Sequence, residues 1–146
     1  MMRHVLSSAI ILAVAVGFGV TIGAYGSASV PQSDGKPGVY TDEQSSRGQA
    51  LADKMCTSCH GDKLQGNDMA LPLHGPDFLT NWGDKTAADL NDKILMTMPA
   101  DSVGSLTAKQ AIDIVAYIFK LNGFPAGSAE LPTDAGTLVQ IPIRAK

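Results

Sequence analysis

Cysteine is scarce in this sequence, because Cys56 and Cys59 are the only two among 146 residues. Small secreted domains that depend on disulfides for stability carry many more. A structural zinc site needs about four ligands, and only three histidines are available to complete one. The scarcity of cysteine therefore excludes a fold stabilised by several disulfides and leaves few ligands for a zinc site.

Aromatic residues are also few, with four Phe, three Tyr and one Trp in the whole sequence. Aromatic side chains usually supply much of the buried volume of a core. A domain of this length with so few of them has room for a buried cofactor.

An excess of basic residues is absent as well. The sequence has eleven Lys and Arg against fourteen Asp and Glu, and a net charge of −3. Binding to nucleic acid depends on a basic surface that neutralises phosphates. Nucleic acid is therefore not an expected partner.

Only one long apolar run occurs, from Leu6 to Ile22, and small residues follow it. This order is typical of a secretory signal peptide, here residues 1–29 with cleavage after Ala28 or Ser29. The run is also at the short limit for a membrane span, so an uncleaved anchor is the alternative. Either form carries the rest of the chain across the inner membrane, and the expected location is the periplasm.

The remaining chain is long enough for one domain. Residues 30–40 contain two prolines and two glycines and are predicted to form a flexible or extended lead-in. The domain itself is expected to span 41–132, followed by a C-terminal extension at 133–146.

Three helices are predicted, each starting at a threonine with an acceptor side chain three residues later, which is the pattern of a capping box. The pairs are Thr41 with Gln44, Thr86 with Asp89, and Thr107 with Gln110. The helices are expected at about 42–56, 87–96 and 108–122.

Gly48 lies in the middle of the first predicted helix, where glycine costs about 1 kcal/mol relative to alanine. A close approach of the last helix, near Ile114 and Tyr117, would explain it. An exposed glycine without such a role is the alternative.

The most informative motif is Cys56-Thr-Ser-Cys-His60, the attachment signature of a c-type haem. The two thiols can each add to a vinyl group, and His60 can then ligate the iron. Its other ring nitrogen needs an acceptor, expected among the backbone carbonyls of 70–73. A redox-active dithiol would instead follow a strand, and the stretch before Cys56 is predicted to be helical.

The second axial ligand is predicted to be Met98. The proline that follows it disfavours helical geometry at this residue, so Met98 should project from an extended segment after the middle helix. Met96 and His74 are the alternatives. A Met ligand opposite His favours ferrous iron and raises the reduction potential.

With these features the sequence resembles the class I c-type cytochromes. More narrowly, it is similar to small periplasmic cytochromes associated with quinoprotein (PQQ-dependent) alcohol dehydrogenases. The matching stretches are Cys56-Thr-Ser-Cys-His-Gly61, Gly75-Pro-Asp-Phe78, Trp82, Leu90, Met98-Pro-Ala-Asp101, Gly104-Ser-Leu106, Asp113-Ile-Val-Ala-Tyr-Ile118, Asn122-Gly-Phe-Pro-Ala-Gly127 and Glu130-Leu-Pro132. Val103 departs from the pattern, since that group often has proline there.

The resemblance implies an all-α class I cytochrome c fold, with three main helices around one covalent haem c and the N- and C-terminal helices crossing. Trp82 would lie near the haem and contact a propionate, or else only pack in the core. The implied function is electron transfer rather than catalysis, from a quinoprotein dehydrogenase towards an oxidase or another cytochrome. A haem enzyme or sensor with a labile sixth ligand, or a fixed subunit of a dehydrogenase complex, is the alternative.

Overall fold

The computed structural model describes residues 38–144, and the predicted signal peptide and residues 30–37 of the lead-in lie outside this range. The described chain is helical, with two isolated bridges and no named strand, which confirms the expected all-α fold. None of its helices is long and apolar enough to cross a bilayer. The helices are α1 (Asp42–Met55), α2 (Thr57–His60), α3 (Pro76–Trp82), α4 (Ala87–Thr97), α5 (Ala108–Leu121) and α6 (Ala135–Leu138).

The three predicted threonine caps are confirmed, but one capping box is incomplete. The side chain of Thr41 accepts from the backbone of Gln44. The Gln44 side chain does not return to the cap, because it is buried and makes two hydrogen bonds with the backbone of Leu131, at 2.8 and 2.7 Å. Thr86 and Thr107 both form complete boxes. The Gln44 side chain, which the local pattern predicts to complete a capping box, therefore makes a tertiary contact instead.

Helices α1 and α5 cross in close contact at Gly48. A Cβ atom at this position would overlap the carbonyl oxygen of Asp113 and lie 3.0 Å from the Cβ of Tyr117. The predicted close approach is confirmed, with Asp113 rather than Ile114 as the nearest neighbour. Tyr117 is buried at this crossing.

Four charged side chains hold the crossing at its edge. Arg47 of α1 donates two hydrogen bonds to the Asp113 carboxylate of α5, at 2.9 and 3.0 Å. Lys109 donates to the same carboxylate at 2.6 Å, and both bases also contact Glu130. Burial alone would raise the pKa of Asp113, but the hydrogen bonds from Arg47 and Lys109 outweigh it and lower this pKa. Hydrogen bonds from Lys109 and Arg47 likewise lower the pKa of Glu130.

The predicted C-terminal extension is part of the folded domain, so the expected boundary at residue 132 is wrong. Helix α6 contacts α4, and Leu138 and Ile143 are buried in the main core. The backbone N–H of Ile143 donates to Lys85 at 2.9 Å, and Pro142 forms a bridge with Thr86. These residues close the side of α4 that α5 leaves open.

The described part of the lead-in is anchored rather than flexible. Tyr40 is buried and forms a parallel bridge with Ala126, and its hydroxyl donates to the carbonyl of Phe124. The backbones of Gly38 and Gly127 pass so closely that neither has room for a side chain. The chain entry is therefore fixed against the segment that follows α5.

The structure gives the Asn122-Gly-Phe-Pro-Ala-Gly127 stretch a structural role. Asn122 caps α5, Gly123 has a φ of 75°, and Phe124 stacks on Phe119 with ring centroids 4.5 Å apart. Together with the contacts of Ala126 and Gly127, these features reverse the chain at the end of α5. The stretch thus fixes the fold, which is a sufficient reason for its composition.

We expect Gly48→Ala to destabilise the protein by about 1–3 kcal/mol, because the added methyl group overlaps the α5 backbone. Gly136→Ala in α6 is the matched control, since its nearest neighbour would be at 3.5 Å. That variant should change stability by less than about 1 kcal/mol. Urea unfolding of both variants measures the effect, and a neutral Gly48→Ala would contradict the close crossing.

We expect Asp113→Asn to lower stability at pH 7 by about 1.5–3 kcal/mol, the typical contribution of hydrogen bonds to a charged group. The folded-state pKa of Asp113 is below its unfolded value, so the stabilisation is complete above pH ~4 and is lost as the pH falls further. The difference in unfolding free energy between the two proteins should therefore shrink progressively as the pH falls below ~4.

The control for that comparison is Asp84→Asn, whose carboxylate pairs with Lys85 at 3.3 Å and is 82% exposed. An exposed pair of this kind contributes less than about 1 kcal/mol. A difference between Asp113→Asn and the wild type that persists unchanged at pH 3 would show that the ion pairs are not its source.

Candidate functional site

The Cys-x-x-Cys-His motif lies where α1 turns into α2. Cys56 ends α1 and also caps α2. Its carbonyl accepts from the backbone N–H groups of Cys59 at 3.2 Å and His60 at 2.9 Å. One turn of chain therefore carries both cysteines and the histidine, and its position is set by the α1–α5 crossing.

Cys56 and Cys59 are not joined in a disulfide, and the environment of Cys56 does not activate it for redox chemistry. Burial raises the pKa of Cys56 to about 11, with smaller contributions from Asp53 and Cys59. Reactive dithiol motifs have the opposite property, a thiol pKa lowered towards neutrality. This environment does not fit a thioredoxin-like dithiol.

His60 has its ring orientation fixed by the loop that follows it. Nδ1 lies 2.7 Å from the carbonyl oxygen of Leu71, which confirms the expected acceptor within 70–73. A carbonyl oxygen can only accept, so Nδ1 carries the proton and Nε2 keeps its lone pair. This is the arrangement that a metal-ligating histidine requires.

That loop, residues 61–75, is anchored at several points and is called the proximal loop below. Leu64 is buried against Ala52 and Tyr117, and its carbonyl accepts from Leu73 at 2.9 Å. Asn122 at the end of α5 donates to the carbonyl of Leu73 and accepts from the backbone N–H of Gly75. Contacts with α1 and α5 thus hold the proximal loop in place, and with it the carbonyl of Leu71.

Met98 lies at the end of α4, as expected. It has extended geometry, with φ −125° and ψ 151°, and its N–H closes the helix by donating to Ile94 at 2.9 Å. The side chain therefore leaves the helix at its last turn, immediately before Pro99. The sequence-based prediction of an extended Met98 is confirmed.

Cys56, Cys59, His60 and Met98 all line one cavity of about 390 Å³. Its wall is mainly apolar and comes from α1, the proximal loop, α3, α4 and α5. The apolar lining residues deepest in the fold are Leu90, Ile94, Leu106, Ile114 and Ile118. The four predicted haem and iron residues are therefore brought together around one mainly apolar cavity.

Trp82 also lines this cavity and stacks on the buried Phe78, with centroids 6.1 Å apart. Trp82 therefore both packs in the core and lines the cavity. The two alternatives for this residue, contact with a haem propionate and packing in the core, are compatible. Three further polar residues line the cavity: Asp101, which ends the Met98-Pro-Ala-Asp101 stretch, and Asn81 and Lys93, which were not singled out from the sequence. No sequence motif marks Asn81 and Lys93 as functional, and only the fold shows that they line the cavity.

The other candidate ligands are placed less suitably. Met96 is 68% exposed and is not among the cavity residues. His74 lines a separate open groove and its Nε2 lies 3.0 Å from the carbonyl of Lys63. Met55 and Met69 do reach the cavity, but they flank the cysteine motif and the proximal loop.

The cavity fits haem c in its chemistry. Two thiols, an imidazole with a free Nε2 and a thioether face an apolar wall, which matches the ligand set of a covalently attached, six-coordinate haem. A zinc site has no comparable basis, because no group of three or more His, Cys, Asp and Glu within residues 38–144 is placed to bind a metal ion.

Comparison with known proteins gives one family match. Residues 43–118 match the family model described as cytochrome c oxidase, cbb3-type, subunit III. A search among curated proteins found no match.

Two solved structures are similar to parts of this chain. The sulfane dehydrogenase SoxCD from Paracoccus pantotrophus is 24% identical, with a TM-score of 0.46 over 66% of this chain and 51% of that chain. The thiosulfate dehydrogenase TsdBA from Marichromatium purpuratum is 32% identical, with a TM-score of 0.38 over 57% of this chain and 20% of that chain. This chain thus spans about half of the first structure and a fifth of the second.

The family match covers more than half of the sequence and runs from α1 almost to the end of α5. It includes the cysteine motif, Met98 and most of the cavity wall. The fold is that of a class I cytochrome c, and the cofactor is a single covalently bound haem c. The chain therefore belongs to the cytochrome c family whose model is described as subunit III of the cbb3-type cytochrome c oxidase.

Proposed function

We propose that this protein is a periplasmic electron carrier in which His60 and Met98 are the two axial iron ligands. The observation that carries this proposal is the single apolar cavity lined by both of these residues and by Cys56 and Cys59. The electron-carrying domain extends at least from Tyr40 to Ile143, since both residues are buried in its core.

Haem c supplies the one-electron chemistry, and the protein supplies the ligands and their orientation. His60 presents Nε2 because Leu71 holds its Nδ1 proton. Met98 presents its thioether from the rigid end of α4. With both axial positions filled by protein, no position is left for oxygen or peroxide, which favours electron transfer over catalysis.

The proposed location follows from the sequence. Residues 1–29 have the order of a signal peptide, with an uncleaved anchor as the alternative, and both deliver the domain to the periplasm.

The proposed electron donor is a quinoprotein dehydrogenase and the acceptor an oxidase or another cytochrome. The narrower resemblance to dehydrogenase-linked cytochromes, which the Asn122-Gly-Phe-Pro-Ala-Gly127 stretch carries, supports this choice. The Asn122–Gly127 stretch adds less support than its sequence suggests, because its contacts are internal to the fold.

The surface beside the cavity supports docking through apolar contacts. Met69 and Leu71 line the cavity and are 73% and 68% exposed. Pro99 and Ala100 also line it, whereas Thr57 lines the separate groove. We call Met69, Leu71, Pro99 and Ala100 the docking patch. Apart from the two cysteines and His60, the ionisable side chains of the cavity lining are those of Lys93 and Asp101, which have opposite charges.

We expect Met98→Ala to remove the thioether-to-iron charge-transfer band and to lower the reduction potential by on the order of 100 mV, within the ~0.8 V range that axial ligands span. Met96→Leu, at an exposed position outside the cavity, is the control and should change neither. Absorption spectra and redox titration measure both. Loss of the band in Met96→Leu would reassign the ligand, and a five-coordinate wild type would favour a haem enzyme or sensor.

We expect reduction of the cytochrome by a quinoprotein dehydrogenase to slow less than about threefold between low ionic strength and 0.15 M salt, since an apolar patch provides little electrostatic steering. Met69→Gln with Leu71→Gln should slow the reaction at every ionic strength. Val139→Gln, also exposed but away from the cavity, should not. Stopped-flow kinetics provide the measurement.

A steep decline of that rate with salt would contradict the apolar patch, and an absence of reduction would exclude the proposed donor. Co-purification of the cytochrome with a dehydrogenase would instead favour a fixed subunit over a diffusing carrier.

A further inference from the structure

The wall of the cavity formed by α3 and α4 carries its polar N–H donors. Asn81 and Trp82 come from the last turn of α3, and Lys93 comes from α4. One hydrogen of the Asn81 amide is used within α3, donating to the carbonyl of Asp77 at 2.9 Å, and the other remains available. The indole of Trp82 is a donor only. Helices α3 and α4 therefore contribute three donors to a mainly apolar lining.

Lys93 is the distinctive member of this group. It is the only Lys or Arg that lines the cavity, and it takes part in none of the ion pairs of residues 38–144. Its helical neighbour Asp89, one turn earlier, would ordinarily pair with it. The Asp89 carboxylate instead accepts from the backbone and hydroxyl of Thr86, at 2.8 and 2.7 Å. The capping box thus removes the local partner of Lys93.

The only carboxylate in the lining belongs to a different segment. Asp101 follows Met98 in the loop after α4, and its side chain accepts from the hydroxyl of Ser102 at 3.0 Å. An acidic group on that side disfavours a second carboxylate nearby. The lining is therefore polarised, with a cation on α4 and an anion on the loop.

A haem bears two carboxylates at the opposite side of the macrocycle from its vinyl groups. Carboxylates that leave water need donors or a cation to remain ionised. Because the vinyl side is fixed at Cys56 and Cys59, the carboxylates must meet a different part of the lining, and the α3–α4 wall has the matching chemistry.

We propose that Lys93 binds a haem carboxylate, with Asn81 and Trp82 as neutral donors, and that its charge raises the reduction potential. This inference rests on the proposed function, since it concerns the same haem. Ferric haem carries one more positive charge than ferrous haem, so a nearby ammonium group disfavours the oxidised state. Removal of that charge also leaves the carboxylate free to stabilise ferric iron, which acts in the same direction.

The test compares Lys93→Gln with Lys85→Gln in the mature holoprotein. Both variants remove one positive charge, but Lys85 lies outside the cavity and pairs with Asp84. At low ionic strength, we expect Lys93→Gln to shift the reduction equilibrium towards ferric haem by about threefold to tenfold, where tenfold is about 59 mV for a one-electron couple. Lys85→Gln should shift it by less than about twofold.

Two further measurements separate a charge effect from a structural one. Lys93→Arg should restore most of the wild-type potential, and added salt should reduce the difference between Lys93→Gln and the wild type. Equal potentials for Lys93→Gln and Lys85→Gln would overturn the inference, as would a shift that Lys93→Arg does not reverse. A changed iron coordination spectrum in Lys93→Gln would also overturn it, because Lys93 would then be an axial ligand.

The absorption spectrum of the wild-type protein tests the proposed function independently of the comparison between Lys93→Gln and Lys85→Gln. A wild-type protein without thioether-ligated, low-spin haem would refute the proposed function itself. A normal wild-type spectrum together with an unaffected Lys93→Gln potential would refute only the role of Lys93.

Discussion

The crossing of α1 and α5 at Gly48 is the contact on which the rest of the structure depends. Only a hydrogen side chain lets the α1 backbone approach Asp113 so closely. The same crossing buries Tyr117, against which Leu64 of the proximal loop packs. Because α1 ends at Cys56, its placement against α5 also fixes the cysteine motif relative to the wall formed by Ile114 and Ile118. The position of the haem site is therefore a consequence of one backbone contact.

Much of the fold could be predicted from the sequence because its signals are local. Threonine caps and the apolar period of α5 set the starts and faces of the three long helices, and the motif at Cys56–His60 identifies the cofactor by itself. Met98 could be found because the proline after it restricts its backbone. Each of these features depends only on residues within one or two helical turns.

The remaining features depend on contacts between distant parts of the chain. Gln44 has the pattern of a capping residue, yet it bonds to Leu131, which lies 87 residues away. Nothing in the sequence of residues 138–143 predicts that Leu138 and Ile143 are buried in the main core. The polar residues of the cavity, Asn81 and Lys93, share a wall only because α3 and α4 fold around the same space. Such features follow from the tertiary structure as a whole and leave no local pattern in the sequence.

The two proposed axial ligands are held in place by different hydrogen bonds, but both are connected to helix α5. His60 is oriented by a carbonyl of the proximal loop, which Asn122 ties to the end of α5. Met98 is oriented by the last hydrogen bond of α4, whose other side packs on α5. Both ligands are therefore positioned by contacts that lead to α5. A movement of one ligand relative to the other would have to disturb the core around Ile114 and Ile118. An electron carrier benefits from such a frame, because ligands fixed in advance need little rearrangement when the iron changes its charge.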